Sequence, residues 1–156
     1  MTQKIAAYFN CNFVFETGRE IIANSNFFNF DDLYIVAKEH NKRIEKAIMG
    51  DSPITVIDTD IHITQSYARF IFQREIEINK IIDYTNKPSL YFYLNNDVEY
   101  VQDGTRLSEI DRNLLDISHR KVLFENNIEI IEINGNWNER FEKIVKEIKL
   151  YCYFNF

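Results

Sequence analysis

"PITVIDTD", Pro53 to Asp60, is an apolar run that stops on two carboxylates. Ile54, Thr55, Val56 and Ile57 are β-branched, and such side chains suit a pleated strand. The run does not alternate with polar residues, so it reads as a strand buried on both faces, as in a parallel sheet. Parallel neighbours require crossover connections, and the flanking sequence supplies candidate helices.

Upstream, "DDLYIVAKEHNKRIEKAIM" places Leu33, Val36, Ala37, Ile44 and Ile48 on one stripe, with Asp31 or Asp32 available as a cap and Gly50 as a terminator. "TQKIAAYF" has helical character, "CNFVF" reads as a short strand ending near Phe15, and "REIIANS" begins another helix. Downstream, "HITQSYARFIFQ" and "EIEINKIIDYTN" read as helices and "SLYFYL" as a second continuous apolar strand. "DVEYVQDGTR" reads as a loop, "IDRNLLDISHRKVLFENN" as a helix, "IEIIEIN" as a strand and "WNERFEKIVKEIKLY" as a closing helix, with "YCYFNF" a packed or frayed tail. Strands alternating with helices imply an α/β fold with a mostly parallel sheet covered on both faces. No internal repeat or linker divides the 156 residues, which suit a single domain over 1–156.

The net charge of -6 argues against a broad nucleic-acid-binding face. No stretch approaches a membrane span, and the N-terminus has no long apolar leader core. Cys11 and Cys152 form no zinc spacing and fit a reducing, cytoplasmic setting.

In open α/β sheets, ligands bind beyond the carboxyl ends of the strands. Four stretches fall there. "VIDTD" is similar to a Walker B strand, whose acidic end holds Mg²⁺ beside nucleotide phosphates, and this makes Asp58 and Asp60 candidate metal ligands; the ordinary alternative is a strand-end turn. "FETGREI" offers Glu16 as a base for a substrate hydroxyl and Arg19 as an anchor, against a helix start with solvated charges. "DGTR", with Asp103 and Arg106, and the later Arg112 suit a phosphoryl-transfer lid, against a plain Asp-Gly turn. Phe15 and Tyr100 can stack on an aromatic ligand ring. His40 is mid-helix and is counted with the substrate-binding positions, against an ordinary role as a partly buried structural histidine. His62 and His119 show no metal-ligand pattern.

In this order, "KIAAYFN", "FVFETGREII", "DDLYIVAKEH", "VIDTD" with "TQSYARF", "DVEYVQDGTR" and "LFENNIEIIEINGNWNERFEKIVKEI" resemble the ribosylnicotinamide kinase domain of NadR-type proteins, a P-loop kinase family with an AAA-type ATPase-like domain. The resemblance covers nearly the whole chain. It implies a three-layer fold and ATP- and Mg²⁺-dependent phosphorylation of nicotinamide riboside to nicotinamide mononucleotide. It also implies Glu16, Arg106 and Arg112 in catalysis, Phe15, Arg19, His40, Tyr100 and Asp103 around the substrate, and Asp58 and Asp60 at the metal. In related proteins an adenylyltransferase domain precedes the kinase domain. The chain has Glu99-Tyr100 where the family has a Pro-Trp pair, Thr105 where it often has leucine, and Phe15 where it tends to have tryptophan.

No G-x-x-x-x-G-K-[ST] occurs in the 156 residues. By the resemblance, that loop and the strand before it come just upstream of "TQKIAAYFN", and the strand lies between the "ITVID" and "SLYFYL" strands. The expectation is therefore a kinase-like domain without its central first strand and phosphate loop, a gap between those two strands, and weak ATP binding. A complementing N-terminal segment would supply the rest. The alternatives are a non-catalytic relic or interaction module on the same scaffold, and an AAA-type ATPase-like domain with another substrate.

Overall fold

The computed structural model describes residues 1–23, 29–77, 88–100 and 108–155; at positions 19, 22 and 23 it describes the backbone alone. The residues cluster into two compact units, Met1–Asn86 and Lys87–Phe156.

In the first unit, α1 (Thr2–Phe9) buries Ile5 and Ala6 and ends on Asn10, whose φ of 48° turns the chain into β1 (Asn12–Val14). β1 leads to α2 (Gly18–Ala23) and α3 (Phe30–Ile48), and β2 (Thr55–Ile57) leads to α4 (Ile61–Phe72). β1 and β2 pair in parallel, with Asn12 opposite Thr55, Phe13 opposite Val56 and Val14 opposite Ile57.

The stripe expected on α3 is present: Phe30, Leu33, Val36, Ala37 and His40 are buried at helical spacing. Each apolar side chain of that size contributes roughly 1.5–3 kcal/mol by leaving water. Both ends of α3 differ from the sequence expectation. Asn29 caps the N-terminus by accepting from the amides of Asp31 and Asp32, while the Asp32 carboxylate accepts from the Asn29 amide. This reciprocal box leaves Asp32 a supporting role. At the other end Met49 is the cap, in right-handed geometry, so the helix does not need a left-handed Gly50.

Ile76 joins Phe30, Leu33 and Ala68 in a core cluster, and the segment Glu75–Glu77 that carries it is irregular rather than helical. The rest of that expected helix lies outside the described residues. The Glu75 carboxylate accepts from Gln65 and Arg69 at 3.0 and 2.6 Å, which fixes this segment against α4 by side-chain bonds.

In the second unit, β3 (Phe92–Leu94) and β4 (Ile131–Ile133) pair in parallel through the crossover helix α5 (Glu109–Glu125), and α6 (Trp137–Asn155) closes the chain. Tyr93, Leu115, Val122, Leu123, Ile133, Ile144, Val145 and Ile148 are buried. The terminal aromatics belong to α6 through Asn155, with Tyr153 and Phe154 exposed.

The four strands thus form two separate parallel pairs, β1–β2 and β3–β4. All four strands are shorter than the apolar runs suggested, three residues each, so Phe15 and Asp58 stand just beyond their strands. No helix among the described residues is long and apolar enough to cross a membrane.

Candidate functional site

The β1–β2 ladder brings two strand ends together. The amide of Asp58 donates to the carbonyl of Val14 at 2.8 Å, one step past the last paired residues. This sets Asp58 beside the segment leaving β1, and a cavity of about 520 Å³ opens there, lined by Phe15, Glu16, Glu20 and Asp58. Among the described lining residues, Glu16, Glu20 and Asp58 are acidic. The Phe15 ring is 40% exposed and meets Phe13 edge-on at 4.6 Å between centroids, so it is braced yet retains a free surface.

Glu20 was not singled out from the sequence. It comes one turn into α2 and accepts a salt bridge from Arg43 of α3 at 2.9 Å, and Arg43 also reaches Glu39 at 3.0 Å. Hydrogen bonds to Glu39 and Glu20 raise the Arg43 pKa, so the guanidinium is a permanent positive charge on this flank. The Arg19 side chain lies outside the described residues.

Asp60 and His40 are placed differently from the expected ligand roles. Asp60 is buried and caps α4: its Oδ1 accepts from the amides of His62 and Ile63, and its Oδ2 lies 2.9 Å from His62 Nδ1. Both carboxylate oxygens are thus engaged within the protein. His40 is 4% exposed, with Nδ1 2.8 Å from the Thr17 hydroxyl and Nε2 3.1 Å from the Thr59 carbonyl. It touches the backbone behind the cavity and is absent from its lining.

Among the described residues no group of three His, Cys, Asp or Glu side chains could hold a metal ion alone. Mg²⁺ in a phosphate complex takes one or two protein carboxylates and fills its remaining positions with water and phosphate oxygens. Asp58 and Glu16 supply two carboxylates to one cavity.

In the second unit, Arg112 donates to the carbonyls of Asn96 and Val98 at 2.5 and 3.4 Å, and its guanidinium is 5.7 Å from the Tyr100 ring. It holds the segment leaving β3. Asp103 and Arg106 lie outside the described residues. Sequence reasoning missed the tightest polar cluster here. Arg140, 3% exposed, donates to the carbonyls of Gly135 and Asn95 at 2.7 and 2.8 Å and pairs with Asp97. Asp97 also accepts from the Gly135 amide at 2.8 Å, and that bond, then the charge of Arg140, holds its carboxyl below the usual range. One signal was legible: Asn136 and Glu139 form a capping box at the start of α6, spaced as such boxes require. Gly135 precedes it at φ +99°, where a Cβ would collide with the Glu139 carboxylate.

Parallel strands with acidic residues past their carboxyl ends suit the ligand rim of an α/β nucleotide-binding domain, and the family comparison gives the class. A family model described as an AAA domain matches residues 1–140, and the chain belongs to that family. Over 109 residues it is 31% identical to mitochondrial escape protein 2 of Debaryomyces hansenii, which is 70% of this chain and 11% of that protein's length.

Proposed function

We propose that the chain is the substrate-side portion of an ATP- and Mg²⁺-dependent kinase that phosphorylates nicotinamide riboside. The observation that carries this reading is the convergence of Phe15, Glu16 and Asp58 on one cavity at the strand ends. Nicotinamide riboside is a pyridinium cation joined to a ribose. A phenyl face attracts a cationic ring, and an acidic wall adds to that attraction. Glu16 accepts a hydrogen bond from a ribose hydroxyl and, acting as base, takes its proton as the oxygen attacks phosphorus and ADP leaves. Asp58 would hold Mg²⁺, which would neutralise charge on the transferring phosphate; Asp60 supports Asp58 through the turn it caps. Arg106 and Arg112 serve the phosphate side, and Tyr100, Asp103 and Arg19 the substrate.

By the same reading, the phosphate loop would be supplied from outside these 156 residues, by an upstream strand that would complete a three-layer domain. An adenylyltransferase domain upstream fits the same assignment, as does a cytoplasmic setting without nucleic-acid or membrane partners.

A second reading, an interaction module on the same scaffold, is favoured by α5. Its Ile110, Leu114, Ile117 and Phe124 are exposed at heptad spacing.

Calorimetry with two nucleosides tests the recognition step. Nicotinamide riboside should bind more tightly than nicotinic acid riboside, whose carboxylate faces the acidic wall. Equal or tighter binding of the acid form contradicts the proposal.

A further inference from the structure

Thr59 stands between the two aspartates of "VIDTD" with φ at 64°, in the left-handed region. A β-branched residue is rarely found there, because its branched Cβ meets the backbone carbonyl; such strain persists only where the surroundings hold it. The surroundings of Thr59 are specific. Before it, the Asp58 amide is fixed to the Val14 carbonyl. After it, Asp60 is fixed as the cap of α4. At Thr59 itself, the carbonyl lies 3.1 Å from His40 Nε2. A carbonyl can only accept, so Nε2 carries the proton, and in the neutral ring Nδ1 accepts from the Thr17 hydroxyl. His40 is buried on the same stripe of α3 as Leu33, Val36 and Ala37, so its ring cannot move away without opening the core. Thr17 is 1% exposed and immediately follows Glu16.

One imidazole thus bridges the two turns that carry Glu16 and Asp58. We infer that His40 is a positioning residue: it holds Thr59 left-handed and Thr17 in place, and thereby sets Asp58 and Glu16 toward a common point. The angle φ of residue 59 rotates the Asp58–Thr59 peptide relative to α4. Because α4 is anchored by the Asp60 cap, relaxation at Thr59 swings Asp58 rather than the helix. The inference deepens the proposed function by naming what orders its two carboxylates, and it rests on that reading only for their use.

Amide NMR of the chain and four variants tests it without nucleotide. His40→Leu should shift residue 59 out of the left-handed region, as read from its backbone couplings, and displace the amide resonances of Glu16, Thr17, Asp58 and Asp60. His40→Gln keeps a donor and an acceptor on one side chain and should restore most of the native pattern. Adding Thr59→Gly to His40→Leu should return Asp58 and Asp60 to native positions while Thr17 stays displaced, because glycine takes φ > 0 unaided. Thr59→Gly alone should leave both aspartates in place; with His40→Gln it decides the matter if His40→Leu does not fold. Unchanged couplings at Thr59 in His40→Leu overturn the inference and leave His40 as core filling, as does an Asp58 resonance that glycine fails to restore. If His40→Leu does not fold, displaced aspartates in Thr59→Gly or a non-native pattern in His40→Gln do the same. Paramagnetic broadening by Mn²⁺ near Asp58 is a separate arm. Its absence counts against the metal role and leaves the positioning result standing.

Discussion

The amide of Asp58 donates to the Val14 carbonyl at 2.8 Å, which fastens the end of one strand to the end of its neighbour. That bond sets an acidic residue next to Phe15 and Glu16, so the cavity follows from strand register. A shift of one residue in a parallel ladder would turn Val14 outward and Phe13 inward, burying the aromatic that the site exposes.

The 156-residue chain by itself should bind Mg-ATP weakly. Backbone amides of a phosphate loop are the usual anchor for a triphosphate, and the cavity wall is acidic. Calorimetry should show no micromolar binding until an upstream strand and loop are supplied.

Glu16→Gln in the completed protein keeps the side chain's shape and removes the base. Loss of a general base costs about a hundredfold or more in rate. Full activity in that variant would reduce Glu16 to a surface charge. Arg106→Lys should also slow turnover, because an ammonium cannot reproduce a forked contact to phosphate.

Arg140→Ala should destabilise the second unit strongly. It leaves the carbonyls of Gly135 and Asn95 without their buried donor, a loss of roughly 2–3 kcal/mol. Trp137 is the single tryptophan and lies three residues from Arg140, so urea unfolding followed by its fluorescence reads this directly.

Stability should fall as pH drops from about 6.5 toward 4. Burial lowers the His119 pKa to about 4, with the Asp116 charge opposing. A folded pKa below the unfolded one means stability is complete above the unfolded value and declines as the unfolded chain takes up the proton first. His119→Gln should flatten unfolding free energy across that window. Asp97 and Glu132, whose carboxyls are also held low, act in the same direction at lower pH and remain in the variant.

Much of the fold was legible because apolar spacing dominates it. The α3 stripe, the places of the four strands and the position of α4 all follow from side chains that must leave water. The ends were less legible, since caps are decided by local hydrogen bonds that several polar neighbours compete to make. Asn29 displaced Asp31 and Asp32, and Asp60 became a cap where the sequence suggested a metal ligand. Glu16 and Asp58, read from strand-end logic, and Phe15, read from its aromatic ring, line one cavity. Arg140 was not, because an arginine in an amphipathic helix looks solvated until the turns it clamps are placed around it.

The central claim is tested most directly by ADP release from the completed protein, supplied with Mg-ATP and a panel of nucleosides. The account predicts release that depends on nicotinamide riboside, with phosphorylated nucleoside formed in equal amount. Release driven by another nucleoside, with nicotinamide riboside ignored, would contradict the substrate assignment, and no nucleoside-dependent release at all would contradict the kinase.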